Sequence, residues 1–245
     1  MATVEPVESS VVQPSGLTTG RQVPRLCAGD HLTRAEFERR YSAMPNVKKA
    51  ELIEGVVYMP SPVSHTNHGH PHFMLVTWLG NYWSATPGTD AADNGTVRLD
   101  WENEPQPDAM LRILPQCGGR SRDDEEYIGG PPELVAEVSA SSESYDLHEK
   151  LRAYQRNGVC EYLAWRVLDA AIDWFVLREG RFERLPLTDA GQYHSETFPG
   201  LWLDPAALLR GDFAQVATVL QQGLASPEHA VFIAKLGAVT GRPAS

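Results

Sequence analysis

The chain has 245 residues, 42% of them apolar, and a formal net charge of −11. This length and composition predict one domain of up to about 200 residues with flanking tails. The acidic charge argues against a protein that grips duplex DNA through a basic face, and the lack of any run of about 18 apolar residues excludes a membrane-spanning helix.

The cysteines indicate the compartment. Cys27, Cys117 and Cys160 are odd in number and widely spaced, which is typical of a reducing environment and fits neither a disulfide framework nor a zinc site. The first residues also lack the charged-then-apolar order of a signal peptide. We therefore expect a cytoplasmic protein.

The N-terminal part begins with residues 1–28, which show no sustained period and predict a disordered lead. Thr33 with Glu36 forms a capping-box pattern and predicts a helix over residues 33–42. Two short apolar runs, 51–53 and 56–59, flank Glu54 and Gly55 and predict a hairpin.

Four histidines lie within eight positions, namely His65, His68, His70 and His72. Gly69 and Pro71 interrupt their spacing, and neither a nearby cysteine nor an H-E-x-x-H pattern supports a structural zinc site. We expect His65 and His68 at a helix start near the mouth of a candidate site. An amphipathic helix is predicted from about residue 72 to residue 83.

The rest of the chain is predicted to alternate between strands and helices. Residues 115–130 are expected to form a long surface loop, residues 205–224 one helix, and residues 225–245 a weakly ordered tail in which 231–236 could form a short helix. The main folded region is thus 29–224. Its remaining predicted strands are 96–100, 109–114, 134–139, 162–167, 172–177 and 181–185.

Glu137 is the residue around which the site is predicted. Strand alternation over 134–139 separates it from Leu134, Ala136 and Val138, yet the whole strand reads as buried. Burying a carboxylate costs on the order of several kcal/mol unless the carboxylate is paired or binds a metal. The following helix carries Asp146, Lys150 and Tyr154 on one face at i, i+4, i+8.

Two interpretations of Glu137 stay open at this point. In the first, Glu137 forms a buried ion pair with Lys150 or with an arginine. Alternatively, Asp108, which begins the next apolar run after Pro107, supplies a second carboxylate from an adjacent strand. Two such acids make a site for a hard divalent cation.

At these residues the chain resembles the PD-(D/E)XK nuclease superfamily, and within it a large bacterial restriction-endonuclease-like family that abounds in cyanobacteria. The segments that carry the resemblance occur in the order of that family. They are Glu51–Gly55, Met59–Pro62 with His65, Val97–Leu99, Pro107–Asp108, Gly130–Ser139, Asp146 with Lys150 and Tyr154, and Gly158–Tyr162.

The resemblance implies an α/β (α+β) fold, with a mixed central sheet flanked by helices and additional β-hairpins. It also implies a nuclease that acts on nucleic acid, with DNA the expected partner, that uses Mg²⁺ or Mn²⁺, and that forms a homodimer. Asp108 and Glu137 are then the paired acids. The lysine expected two residues after the second acid is replaced by Ser139, and Lys150 stands where a lysine relocated to the helix would lie.

Further site roles follow from the pair of strand acids and the polar face of the helix, and one, that of His65, from the resemblance. Glu51 is expected to add a metal contact, Asp146 to hold Lys150, Tyr154 to donate a hydrogen bond, and His65 to lie on the substrate side. One alternative is a nuclease fold that has lost catalysis and binds DNA or a protein, favoured by the acidic charge and by Ser139. Another is an interaction module that uses exposed aromatic side chains of the C-terminal hairpin, Trp174, Phe175 and Phe182.

Overall fold

The computed structural model describes residues 23–59, 64–139 and 145–239. Two π-helical turns, His65–Gly69 and Tyr145–Lys150, lead directly into the helices that follow them. The helices and strands are, in chain order, α1 (Arg34–Ser42), β1 (Glu51–Ile53), β2 (Val56–Tyr58), α2 (His70–Ser84), β3 (Thr89–Asp93), β4 (Val97–Arg98), β5 (Ala109–Ile113), β6 (Arg122–Asp124), β7 (Tyr127–Gly129), β8 (Leu134–Ser139), α3 (Leu151–Asn157), β9 (Glu161–Arg166), β10 (Ala171–Arg178), β11 (Arg181–Arg184), β12 (Tyr193–His194), β13 (Trp202–Leu203), α4 (Pro205–Leu209), α5 (Phe213–Leu224) and α6 (Pro227–Val239).

Six strands form the central sheet in the order β11-β10-β9-β8-β5-β3. Strands β8 and β9 are parallel, whereas the other four neighbouring pairs of this sheet are antiparallel. A parallel pair needs a crossover connection, and here α3 lies in the connection between β8 and β9. The predicted mixed central sheet with flanking helices and hairpins is confirmed.

Strand β8 is buried along its whole length and faces two different cores. Leu134, Ala136 and Val138 belong to the larger core, together with the buried side chains of α2. Val135 belongs to a smaller core that includes Tyr154 of α3. Because strand side chains alternate between faces, the sheet directs Glu137 towards α3, as the sequence predicts.

The hairpin of β1 and β2 is confirmed, with Leu52 paired opposite Val57. Its two turn residues, Glu54 and Gly55, have φ values of 52° and 75°, the positive φ pair that a two-residue hairpin of type I′ requires. An isolated bridge joins Leu52 to Glu104. This bridge holds β1 against the segment that leads into β5, and so places Glu51 next to the predicted acid pair.

The segment 115–130 is not the loop that the sequence predicts. After a 3₁₀ turn at Pro115–Cys117 it forms the antiparallel hairpin of β6 and β7, and β7 also pairs in parallel with β4. The prediction failed because β6 is exposed and acidic, so it lacks the apolar alternation by which strands are recognised.

Helix α1 is confirmed, but its predicted capping box is wrong. Thr33 is the N-cap residue, yet its side chain makes no capping hydrogen bond. The carboxylate of Glu36 instead pairs with Arg39 and Arg40, each at 2.7 Å. Glu36 is therefore engaged on its own helix rather than with the N-cap backbone.

The predicted helix over 205–224 is two helices, α4 and α5, separated at residues 210–212. Gly211 has a φ of 74°, which ends the first helix, and the carboxylate of Asp212 accepts a bond from the Gln215 backbone N–H at 3.2 Å to begin the second.

The last helix, α6, contains the short helix considered for 231–236. The boundaries at 28/29 and 224/225 stay predictions, and residues 1–22 of the expected lead lie outside the described residues.

The aromatic side chains of the C-terminal hairpin are not exposed. Trp174 and Phe175 retain 1% and 8% of their accessible surface, and Phe182 packs against Phe175 with ring centroids 6.3 Å apart. The hairpin therefore closes the core, and the interaction module built on it is wrong. In the parts of the chain that the structure covers, no helix is long and apolar enough to cross a bilayer.

Candidate functional site

Glu137 lies at the centre of a buried polar cluster between β8 and α3. Its Oε1 accepts hydrogen bonds from Lys150 Nζ and from the Tyr154 hydroxyl, each at 2.9 Å. All three residues are almost completely buried, with Glu137 and Lys150 each 3% exposed. The buried ion pair that the sequence left open is thus present, and the predicted contact from Tyr154 is present beside it.

Asp108 directly precedes β5 and lies beside Glu137 of the neighbouring strand β8. Ala109 pairs opposite Ala136 in the antiparallel β5–β8 ladder, so the same register sets Asp108 opposite Glu137 on one face. Its Oδ2 accepts the Val138 backbone N–H at 2.8 Å. The structure therefore brings the two predicted acids to neighbouring positions of two adjacent strands.

Glu51 joins the cluster from the β1–β2 hairpin. Its Oε1 lies 3.1 Å from Lys150 Nζ and accepts the Gln106 backbone N–H at 2.7 Å. The Gln106 side chain in turn donates to the Ala50 carbonyl at 3.3 Å. One ammonium thus lies between two buried carboxylates, which reduces their mutual repulsion in a region of low dielectric.

Two π-helical turns carry key side chains of the cluster, since Lys150 ends one and His68 lies on the other. His68 Nε2 is 3.2 Å from Asp108 Oδ2, and His72 Nε2 is 2.9 Å from the Asp108 carbonyl oxygen. π-Helical turns are rare and occur frequently at functional sites. The two turns lie where the chain enters α2 and α3, the helices whose side chains contact the acids.

The surroundings of Asp108 keep it ionised. Burial by itself raises the pKa of this carboxyl, but the hydrogen bond from His68 and the charges of Lys150, His68 and Lys49 outweigh burial and lower the pKa to about 2. Lys49 Nζ lies 3.8 Å from Asp108 Oδ1. A carboxyl held in this way is an anion at every physiological pH.

Tyr154 remains a hydrogen-bond donor. Burial, followed by the negative charge of Glu137, raises the pKa of its hydroxyl well above 10. The phenol therefore keeps its proton and fixes the orientation of the Glu137 carboxylate from the α3 side.

The remaining predicted residues are placed as follows. Ser139 is buried two residues after Glu137 on the same strand. His65 is exposed on the first π turn, its ring 6.4 Å from that of His70, and within the described ranges it contacts neither acid of the site; His68 takes the position nearest Asp108. The Asp146 side chain lies outside the described residues.

The donor set can be compared with what a divalent cation needs. In the described ranges, no group of three or more His, Cys, Asp or Glu side chains is arranged to hold a metal ion. Mg²⁺, however, is usually held by one or two carboxylates, and water and substrate phosphate complete its shell. The facing carboxylates of Asp108 and Glu137 fit that need. Glu51 Oε1 is occupied by Lys150 and by Gln106.

Three contacts of the site were not predicted. The site is also contacted by three residues from segments that are distant in sequence from Glu137, namely His72, Lys49 and Gln106. Of these, only His72 had a local signal, because it belongs to the same histidine cluster as His68. Lys49 has a neighbour of the same type, Lys48, and nothing local distinguishes them.

Two comparisons with known proteins give a match. The sequence profile of the Uma2 family, described as "Putative restriction endonuclease", matches residues 34–206. The chain is also similar to a crystal structure described as "a putative nuclease belonging to DUF820" from Anabaena variabilis, with 13% identity, a TM-score of 0.49, and coverage of 70% of this chain and 97% of that chain. Comparison with curated proteins finds no match. The family match includes Glu51, Asp108, Glu137 and Lys150.

Proposed function

Because the chain belongs to the Uma2 family, described as "Putative restriction endonuclease", we propose that it is an endonuclease that hydrolyses nucleic-acid phosphodiesters with the help of Mg²⁺ or Mn²⁺. One observation carries the proposal. Two buried carboxylates, on Asp108 and Glu137, face each other across adjacent strands, and a buried lysine and a third carboxylate complete the cluster.

Asp108 and Glu137 are the residues that hold the cation. Asp108 Oδ2 is engaged by Val138 N–H and His68, which fixes the carboxylate plane and turns Oδ1 towards Lys49. When bound, the cation supplies positive charge at the phosphate and lowers the pKa of a water molecule so that it can attack. The oxygen-only donor set favours Mg²⁺ or Mn²⁺ over softer metals.

Lys150 and Tyr154 orient Glu137, and Lys150 also compensates the charge of Glu51. The Lys150 ammonium is 2.9 Å from Glu137 and 3.1 Å from Glu51, which supports Lys150 as the lysine that replaces the one absent at Ser139. Since Lys150 lies against the metal-binding acid, it is also the group that orients the attacking water. Glu51 keeps its predicted metal contact as a secondary role.

The alternative is a nuclease fold without catalysis that binds DNA or a protein. Two basic clusters of the sequence, within residues 34–49 and 112–122, favour its protein-binding form, because several of their arginines pair with nearby acids. Arg39 and Arg40 pair with Glu36, and Arg112 pairs with Asp90 and Asp123. A broad basic track for DNA is therefore missing from these two clusters.

A cleavage assay separates the two functions. Plasmid and linear DNA are incubated with the wild type and with Asp108→Asn and Glu137→Gln, in Mg²⁺, Mn²⁺ and EDTA. We expect metal-dependent cleavage that falls by at least about 10²-fold in both variants, the size of effect typical of losing a charged group at a reacting centre. Glu161→Gln, which changes another buried carboxylate of the sheet, is the matched control and should cleave as the wild type does.

Cleavage that persists unchanged in both Asp108→Asn and Glu137→Gln contradicts the assignment of the site. A wild type that binds DNA but cleaves it in none of the three conditions favours the alternative. The preference for DNA, the homodimer and the cytoplasmic location stay predictions, and the assay with RNA substrates tests the first of these.

A further inference from the structure

The buried lysine of the site is poorly placed to meet a substrate. Lys150 is 3% exposed and has carboxylates at 2.9 and 3.1 Å. A phosphate would have to reach an ammonium that is almost closed off from solvent and lies between two carboxylates, whose negative charge repels it. A lysine contact to the phosphate therefore has to come from another side chain, a second cation beside Lys150.

Lys49 is that second cation. Its Nζ lies 3.8 Å from Asp108 Oδ1, beyond hydrogen-bond distance, and its side chain is 26% exposed. Its one hydrogen bond among the described residues runs to the Asn94 side-chain oxygen at 3.1 Å. Since an ammonium has three N–H donors, Lys49 can donate to a further oxygen without giving up Asn94.

The backbone at Lys49 is fixed although its side chain is not. Ala50 is 1% exposed, and its carbonyl accepts a bond from Gln106, two residues before Asp108. Strand β1 then begins at Glu51, which contacts Lys150. The position from which the Lys49 side chain extends is thus fixed next to the acids, while a flexible four-carbon stem allows its charge to move.

A cation held by Asp108 also changes the balance at Lys49. In the structure Lys49 is a loose partner of Asp108. A divalent cation on that carboxylate repels the ammonium at short range, and the nearest new source of negative charge is a phosphate bound to the same cation.

We propose that Lys49 binds a non-bridging oxygen of the scissile phosphate, so that the two lysines of the site divide their work, Lys49 contacting the substrate and Lys150 positioning the acids. This inference rests on the proposed function. It adds a catalytic residue from the segment before β1, whereas Lys150 comes from the π-helical turn before α3.

The test is DNA binding without cleavage, which does not depend on activity. A fluorescently labelled DNA duplex is titrated in Ca²⁺ with the wild type, Lys49→Met, Lys49→Arg and the matched control Lys48→Met, and a gel verifies that the duplex stays intact. Lys48 is the neighbouring exposed lysine, so its variant makes the same change in net charge. We expect Lys49→Met to weaken binding by about tenfold or more, Lys48→Met by less than about twofold, and Lys49→Arg to retain most of the affinity.

The salt dependence of binding gives a second readout. Losing one phosphate contact lowers the slope of log K against log salt by roughly 0.9 for a duplex, and we expect that change in Lys49→Met but not in Lys48→Met. Equal affinities for wild type and Lys49→Met, equal losses in the two methionine variants, or a wild type that does not bind the duplex would each overturn the assignment of Lys49. A Lys49 effect on binding in a protein that never cleaves DNA would uphold Lys49 and reject only the proposed endonuclease activity.

Discussion

Two buried carboxylates of the central sheet are stabilised in different ways. Glu161 begins β9 and accepts hydrogen bonds from Trp174 Nε1 at 2.9 Å, from the Ser195 hydroxyl, and from the backbone N–H groups of Glu196 and Thr197 at 2.8 and 2.7 Å. All of these donors are neutral. Among the described contacts, Glu137 on neighbouring β8 accepts from the Lys150 ammonium and from the Tyr154 hydroxyl, and it lies beside another acid.

The difference separates a structural carboxylate from one suited to binding. Neutral donors from β10 and from residues 195–197 bind both oxygens of the Glu161 carboxylate. At Glu137 the fold gathers three acids around one buried lysine, an arrangement in which each charge depends on the others. Such like-charged clusters are costly and are typical of sites that bind a cation or a substrate.

The largest effect is expected from Lys150→Met. It leaves Glu51 and Glu137 buried without the cation between them, and breaking a buried ion pair from one side costs about 3–5 kcal/mol. Urea unfolding of the variant measures the loss in the free energy of unfolding. Adding 10 mM Mg²⁺ should restore part of it, since a cation that binds only the folded protein stabilises it. A loss below about 1 kcal/mol would show that Lys150 does not balance the cluster.

Glu161→Gln tests the carboxylate that is held by neutral donors. The amide nitrogen presents donors to groups that are themselves donors, and an unsatisfied buried polar group costs about 1–3 kcal/mol. We expect that loss in urea unfolding, with no response to Mg²⁺. If Mg²⁺ stabilised Glu161→Gln more than it stabilises the wild type, the division between the two carboxylates would be wrong.

The contribution of Asp108 to the free energy of unfolding should depend on pH. Its pKa is lowered from 3.8 to about 2 in the folded protein, so its contribution to stability is fully present above about pH 4 and is lost as the pH falls through about 2. One pKa unit corresponds to about 1.4 kcal/mol, so the contribution is on the order of 2 kcal/mol. The measurement is the difference in unfolding free energy between the wild type and Asp108→Asn, followed from pH 7 to pH 2. A difference that does not change with pH would contradict the strong pairing of Asp108.

Tyr154→Phe is expected to have the smallest effect. It removes one hydrogen bond to Glu137 while Lys150 remains, and a hydrogen bond to a charged group contributes about 1.5–3 kcal/mol at most. We expect a loss of about 1.5 kcal/mol in urea unfolding, the lower end of that range because Lys150 still pairs with Glu137, and a slower cleavage rate with an unchanged requirement for metal. Unchanged stability together with unchanged cleavage would remove Tyr154 from the site.

The parts of the site that follow from local patterns could be predicted from the sequence. Strand alternation placed Glu137 on the α3 face, and the spacing of Lys150 and Tyr154 placed both against it. Strand β6 was missed because it is exposed and acidic, and the helix break at Gly211 was missed because apolar spacing continues across it. Periodicity reports burial, and neither feature changes the buried pattern.

The rest of the site depends on geometry that spacing does not encode. His65 was favoured over His68, but the π-helical turn directs His68 to Asp108 and leaves His65 exposed. Lys49 and Asp108 are 59 positions apart in the sequence, and only the fold brings them together. The metal contact expected of Glu51 stays a prediction, and the contacts of its Oε1 with Lys150 and Gln106 come from the fold.

The most direct test of the central claim is calorimetric titration of Mg²⁺ and Mn²⁺ into the wild type and the Asp108→Asn/Glu137→Gln variant, with and without a short DNA oligonucleotide. We predict one divalent cation per chain in the wild type, tighter binding when the oligonucleotide is present because its phosphate completes the shell, and no binding in the variant. Binding of equal strength to both proteins, or no binding to the wild type even with the oligonucleotide, would contradict the account.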